Sequence, residues 1–194
     1  MAIAKKRKKF FNVDMPIIGK QTQLQAFEIK ELNNSYITYD LTRMLKGKNM
    51  ILQLKVKSDK EMATSVTRQI KLTSSYLIKM VRKGTDYVED SFSADCKNAR
   101  LKIKPFLIAR KKVSRKVKKA LREMAKEELI KYIKLKDSET IFEELIKNRL
   151  QKELSLKLKK IYPLSLCEIR ILKVENEFEE NLEKETEGKL IVNV

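Results

Sequence analysis

Residues 100–126 read RLKIKPFLIARKKVSRKVKKALREMAK, and this stretch joins two different periodicities. Its first five residues alternate strictly, which is the pattern of a half-buried strand. Arg100, Lys102 and Lys104 then form a cationic row on one face, spaced about 6.6–6.8 Å apart, and the apolar residues between them face a core. Pro105 has no amide donor, so it either ends the run or places it at the edge of a sheet.

A long helix follows from about Ser114, where apolar residues begin to recur at three- and four-residue steps. One face is apolar and holds Val117, Ala120, Leu121, Met124, Ala125, Leu129, Tyr132 and Ile133. The other face is mainly cationic and holds Arg115, Lys116, Lys118, Lys119, Arg122 and Lys126. Positive charge at a helix N-terminus opposes the helix dipole. This unfavourable placement indicates that the charge serves a bound polyanion rather than the helix.

The charge of the whole chain supports the same interpretation. Its 194 residues include 44 lysines and arginines against 26 acids, a formal net charge of +18. A compact protein with this excess repels itself, so a polyanionic partner is the simplest explanation. Nucleic acid is the first candidate. The alternative is an anionic membrane surface, contacted by the helix after Ser114 as a basic amphipathic element.

The composition also excludes several kinds of chemistry. Histidine is absent, which removes Ser-His and Cys-His catalysis and His-ligated metal sites. The four glycines are too scattered to cradle a phosphate, and Cys96 and Cys167 form neither a disulfide framework nor a zinc site. We therefore predict no catalytic residue, no metal and no cofactor. A nucleic-acid enzyme using Mg²⁺ and paired carboxylates such as Asp40 is a weaker alternative.

The two ends of the chain carry opposite charge. Residues 1–14 are predicted to be a basic arm that becomes ordered on RNA, with Phe10 and Phe11 packing into the core or stacking on a base. The arm cations are Lys5, Lys6, Arg7, Lys8 and Lys9. Residues 175–194 are predicted to be an acidic tail, either solvated or in contact with a basic neighbour. Neither end contains a secretory signal or a bilayer-spanning run, so we expect an intracellular location.

The intervening pattern predicts one α+β domain over residues 15–174. Residues 15–110 are β-rich and suggest an antiparallel sheet, residues 111–162 are mainly helical, and a closing strand covers 166–174. Thr73 is expected to cap a short helix, and Asp137 to begin another. A break near Asn148 precedes a further helix that ends before Pro163.

Three segments, in order, resemble a small-ribosomal-subunit protein family shared by archaea and eukaryotes, historically labelled "three-A-e". They are LTSSYLIKMVRKGT at 72–85, RLKIKPF at 100–106, and KKIYPL at 159–164 followed by Glu168-Ile169-Arg170. The resemblance implies a β-barrel-like core flanked by helices. It also implies a place in the cytoplasmic ribosome, on the small-subunit platform near the 3′ end of ribosomal RNA and the messenger exit.

The partners implied by the resemblance are small-subunit ribosomal RNA, neighbouring ribosomal proteins and, at the exit, messenger RNA; no membrane partner is expected. Lysine and arginine would bind RNA phosphates and release counterions. Besides the arm cations, the candidate RNA-binding residues are Arg82, Lys83, Arg100, Lys102, Lys104, Arg110, Lys111, Lys112, Arg115, Lys116, Lys118, Lys119, Arg122, Lys159 and Lys160.

Overall fold

The computed structural model describes residues 7–58 and 62–178. Its strands are β1 Lys9–Met15, β2 Lys20–Ala26, β3 Tyr36–Asp40, β4 Met50–Ser58, β5 Ala63–Leu72, β6 Tyr87–Glu89, β7 Phe92–Asp95, β8 Ala99–Ala109 and β9 Leu164–Glu177. Its helices are α1 Ser74–Met80, α2 Arg115–Lys134, α3 Ser138–Ile146 and α4 Arg149–Leu158, with a 3-10 turn at Ile29–Leu32. The predicted α+β class is confirmed.

The sheet is open, so the predicted barrel-like closure is wrong. The strand order is β2-β1-β5-β9-β8-β6, with β3 beside β4, β4 also beside β5, and β7 beside β8. One edge of β5 is divided between two partners, β1 near its start and β9 near its end. The sheet therefore branches instead of closing. Its outer strands β2 and β3 approach through side chains, with Lys20 Nζ 3.2 Å from the Tyr39 hydroxyl.

The pairing of β1 with β5 is parallel, through Val13 opposite Ala63 and Asp14 opposite Thr64. The sequence suggested antiparallel pairing throughout. A parallel pair needs a long crossover connection, and here β2, β3 and β4 provide it. The parallel ladder is short, and the alternation of residues within a strand does not indicate whether that strand pairs in parallel or antiparallel.

Two strands extend beyond their predicted bounds. β1 begins at Lys9, inside the segment expected to be an arm, because its alternate residues bury Val13 and Met15. Phe11 packs against the core, whereas Phe10 stays 65% exposed. β9 continues to Glu177, inside the predicted tail. Residues 1–6, with Lys5 and Lys6, and residues 179–194 lie outside the described residues.

Pro105 neither ends a strand nor lies at a sheet edge, so this part of the prediction is wrong. β8 continues to Ala109 with β9 on one side and β6 and β7 on the other. The register with β9 shifts between Lys104 and Pro105, as in a bulge. On the opposite side, β7 ends its pairing at Ile103 and β6 begins at Phe106. The proline thus occupies a gap in the ladder where a missing donor costs little.

The helices α2, α3 and α4 cover the part of the sheet formed by β5 to β9. Their predicted apolar stripes are confirmed, with Leu121, Ala125, Leu129 and Ile133 buried on α2. The helix α2 begins where predicted, and the hydroxyl of Ser114 caps it by accepting a hydrogen bond from the Val117 amide at 3.4 Å. The Thr73 hydroxyl caps α1 in the same way through Tyr76.

A buried polar cluster ties the sheet to the helices. Lys48 Nζ lies 2.6 Å from Glu168 Oε2 and 2.6 Å from Asn148 Oδ1, and Lys48 and Glu168 are only 8% and 7% exposed. Asn148 has a positive φ of 57° between α3 and α4. Lys48 precedes β4 and Glu168 lies in β9, so one ammonium group joins three separate parts of the chain.

We expect Lys48→Met to lower the free energy of unfolding by about 3–5 kcal/mol, because it leaves the buried Glu168 carboxylate without a counter-charge. Urea unfolding provides the measurement. The matched control is Lys147→Met, which removes an exposed ion pair with Glu143 and should cost no more than about 1 kcal/mol. Replacing Glu168 by Leu in the Lys48→Met protein should restore much of the loss. Equal effects of the two single substitutions would contradict this role.

Candidate nucleic-acid interface

The segment between β8 and the first turn of α2, residues 110–116, is here called the basic loop. Its cations are Arg110, Lys111, Lys112, Arg115 and Lys116, and all five are exposed. None of them forms an ion pair with another residue that the structure describes. The first turn of α2 contains no acid, so the predicted opposition between charge and helix dipole is present in the fold. The loop is therefore a concentrated positive surface.

Asp86 holds the basic loop in place. Its Oδ2 accepts a hydrogen bond from the Val113 amide at 2.9 Å and lies 3.1 Å from Lys118 Nζ. Its carbonyl accepts a second bond from the Ala109 amide at 2.8 Å. The bond from Val113 and then the contact with Lys118 lower the pKa of the Asp86 carboxyl below its ordinary value of 3.8. The ionised carboxylate therefore holds the middle of the loop at Val113, and the Asp86 carbonyl holds Ala109, the residue that precedes the loop.

Sequence reasoning missed Asp86. The stretch from Arg100 to Arg122 contains no acid, and this absence suggested an unopposed run of cations. Asp86 is 27 positions from Val113, and it reaches the loop only because β6 pairs with the end of β8. The local sequence around Asp86 predicts only the turn that precedes it, at Gly84, whose φ is +83°.

Two further pairs of adjacent basic residues lie at the same end of the sheet. Arg82 and Lys83 are exposed and precede Asp86 by a few residues. Lys159 and Lys160 are exposed and precede Leu164, which pairs with Ala109 immediately before the loop. Three segments thus converge where β8 ends and β6 and β9 begin. We call this set the basic end, and it comprises Arg82, Lys83, Arg110, Lys111, Lys112, Arg115, Lys116, Lys159 and Lys160.

The predicted cationic row on β8 is largely compensated inside the protein. Lys102 Nζ lies 3.1 Å from Glu175, and Arg100 Nε lies 3.7 Å from Asp95 and 3.9 Å from Glu175. Hydrogen bonds from Ser93 first and from Lys102 second lower the pKa of Glu175. These acids come from β7 and β9 and were not visible in the local alternation.

The remaining predicted cations are distributed over other surfaces. Lys104 has no ion-pair partner among the described residues. On α2, Lys118 binds Asp86, Lys119 lies 3.8 Å from Glu123, and Arg122 is exposed. Arg7, Lys8 and Lys9 are exposed, with Lys8 Nζ 5.6 Å from the centre of the Phe27 ring. Because β1 is parallel to β5, these three lie at the end of the sheet opposite the basic end.

The two alternative interpretations find little support in this geometry. The apolar face of α2 that a membrane would require is packed in the core through Leu121, Ala125 and Leu129. Asp40 binds the amide and hydroxyl of Thr42. Across residues 7–58 and 62–178 the structure contains no group of three or more potential metal ligands. No helix in this part is long and apolar enough to cross a bilayer.

Comparison with known proteins decides the family. The model of the Ribosomal S3Ae family matches residues 4–177. The chain belongs to the Ribosomal S3Ae family. It is also similar to a curated protein, small ribosomal subunit protein eS1 of Nanoarchaeum equitans (strain Kin4-M), with 27% identity over 176 residues covering 85% of this chain and 87% of that protein. The predicted family resemblance is confirmed, and with it the class of small-subunit ribosomal protein involved in translation.

The three segments that carry the S3Ae resemblance lie next to one another in the fold. The first forms α1, the second lies in β8 and the third leads into β9. They border one groove of about 490 Å³ whose apolar wall includes Leu77, Tyr87 and Phe106. Tyr87 stacks on Phe106 with ring centres 5.6 Å apart. The three segments that carry the resemblance therefore pack around one groove next to the basic end.

We expect Asp86→Ala to release the basic loop, measured as faster amide hydrogen exchange at Val113. In the wild type this protection depends on the carboxylate, whose pKa is lowered. The contact is therefore complete above the ordinary pKa of 3.8 and is lost as the pH falls through the lowered value. The matched control is Asp95→Ala, which removes an exposed acid near Arg100. Unchanged exchange at Val113 in Asp86→Ala would contradict this role.

Proposed function

We propose that the protein is a structural constituent of the small ribosomal subunit and that its basic end binds ribosomal RNA. The observation that carries this proposal is the basic loop, whose five exposed cations have no ion-pair partner among the described residues. Membership of the S3Ae family supports it. The relative of 27% identity is itself named as a protein of the small subunit.

The mechanism follows from the geometry of the basic end. Cations from three segments lie at one end of the sheet, so they can neutralise phosphates of a folded RNA and release its counterions. Lysine and arginine contacts to phosphate position a protein but do not read sequence. Recognition would therefore depend on the shape of the RNA backbone. Arg100 and Lys102 contribute less in this proposal, because Glu175 already lies beside them.

The place we propose within the subunit is the platform, near the 3′ end of the ribosomal RNA and the messenger exit. Neighbouring ribosomal proteins, and messenger RNA at the exit, are the other proposed partners. The resemblance of the three segments supports this location. In this proposal the exposed basic end faces the RNA there, because Arg100 and Lys102 of β8 are already paired with acids.

We expect the charge reversal of Lys111, Lys112 and Lys116 to Glu to weaken association with small-subunit ribosomal RNA. Each phosphate contact that is lost should reduce the slope of log K against log salt by roughly 0.7–0.9, so the triple variant should lose about 2 or more. Filter binding across a salt series and co-sedimentation with small subunits provide the measurements. The control reverses Lys97, Lys131 and Lys134, which are also exposed and lie before β8 or at the C-terminal end of α2, remote from the basic loop. Equal losses in both triple variants would contradict a localised site.

The location can be tested with a tethered cleavage reagent at Lys111→Cys. The native thiols should not react, because Cys96 and Cys167 are buried and burial raises the pKa of Cys167 to about 12. Iron–EDTA attached at position 111 in reconstituted subunits should cleave ribosomal RNA near its 3′ end. The matched control is Lys134→Cys, about 30 Å away along α2, which should give a different cleavage pattern. Cleavage from position 111 confined to another RNA domain would contradict the proposed location.

A further inference from the structure

The outer face of the β1–β2 hairpin presents an aromatic ring beside a ladder of amides. Phe10 is 65% exposed, because strand alternation places it on the face opposite to that of Phe11, which packs against the core. Across the hairpin Phe10 lies opposite Gln25, and Asn12 lies opposite Gln23. Side chains directly opposite one another on a sheet are about 4.5–5.5 Å apart, so the ring and the amides form one continuous face.

This face borders an open groove. Its walls include Phe10, Asn12, Gln23 and Met62, and its volume is about 490 Å³, within the roughly 300–1,000 Å³ of small-ligand pockets. Met62 is 67% exposed and provides a second apolar surface. The groove thus has an apolar part that would accept a flat ring and a polar part that would bind the edge of that ring.

The amides of this face are free to bind a ligand. The side chains of Asn12, Gln21, Gln23 and Gln25 form no hydrogen bond with any other described residue. Each amide carries both a donor and an acceptor, which matches the mixed donor and acceptor edges of nucleobases. Asp14, opposite Gln21, adds an acceptor for base N–H groups.

Charge favours RNA over a protein segment as the occupant. Arg7, Lys8 and Lys9 lead into β1 and are exposed, so a phosphate backbone would meet cations beside Phe10. Within the groove the only described charged side chain is that of Asp14, which disfavours phosphate there and favours bases. The phosphates would then follow residues 7–9 while the bases enter the groove.

We propose that the β1–β2 face binds unpaired nucleotides of single-stranded RNA, with Phe10 stacking on a base and Asn12 and Gln23 binding base edges. Unpaired bases stacked on aromatic side chains are the usual targets of base-specific RNA contacts. This proposal rests on the proposed RNA-binding function and deepens it. It adds a base-contacting site at the end of the sheet opposite the phosphate-binding basic end.

The experiment uses the full chain and two probes of equal phosphate number, a single-stranded oligonucleotide containing 2-aminopurine and an RNA duplex. Wild-type protein should quench the 2-aminopurine. Phe10→Leu should weaken binding of the single strand by about ten-fold or more, since stacking on a protein aromatic is usually worth about 1–3 kcal/mol per base, and should leave duplex binding unchanged. Phe10→Trp should retain the affinity. The matched control is Tyr36→Leu, which removes another exposed aromatic that lies opposite Lys55 rather than opposite an amide.

The outcomes separate this proposal from the proposed function. Unchanged single-strand affinity in Phe10→Leu, with duplex binding still reduced by charge reversal in the basic loop, would overturn the β1–β2 site alone. Failure of the wild-type protein to bind either probe or ribosomal RNA would overturn the proposed function as well. Ultraviolet cross-linking in native small subunits, with and without messenger, identifies the source of the strand. A cross-link from Phe10 to ribosomal RNA or to messenger supports the site, and one to a neighbouring protein instead would overturn it.

Discussion

The buried ion pair between Lys48 and Glu168 constrains the arrangement of the whole fold. Two charges removed from water are tolerated only where each finds its partner at hydrogen-bond distance, and Lys48 Nζ does so at 2.6 Å from both Glu168 and Asn148. The turn before β4, the junction of α3 with α4, and β9 must therefore keep one relative position. Because β9 pairs with the full length of β8, the start of the basic loop is fixed by the same constraint.

The net charge of +18 is distributed unevenly over this frame. Acids in the sheet compensate cations at many positions, as Glu177 does for Arg68 and Glu89 for Arg170. At the basic end Asp86 contacts Lys118 and the Val113 amide, and among the described residues of the loop Lys112 is the one cation with which it interacts electrostatically. Mutual repulsion is thus concentrated at one surface, where a polyanion would relieve it.

Features set by near neighbours in the chain could be predicted, and features set by distant ones could not. The extents of α2 and α3 followed from apolar periodicity and from the positions of Ser114 and Asp137. The parallel pairing of β1, the passage of β8 through Pro105 and the open sheet depend on contacts between distant strands. The same holds for the candidate site. The exposed basic loop could be predicted from its composition. Its attachment to Asp86 and the ion pair of Lys102 with Glu175 could not, because they depend on contacts between distant strands.

The length of β8 has a consequence for how two RNA segments would share the protein. Its 11 residues span about 35 Å, and a paired strand does not contract as a flexible linker does. Once an RNA is bound at one end of the sheet, binding of its second segment at the other end would be intramolecular. That second step would depend on the effective concentration of the segment rather than on the concentration of free protein. That gain exists only when the RNA presents both segments at the distance the sheet spans. The protein would then bind more tightly to an RNA fold whose two segments are separated by that distance than to a fold in which they are closer together or farther apart.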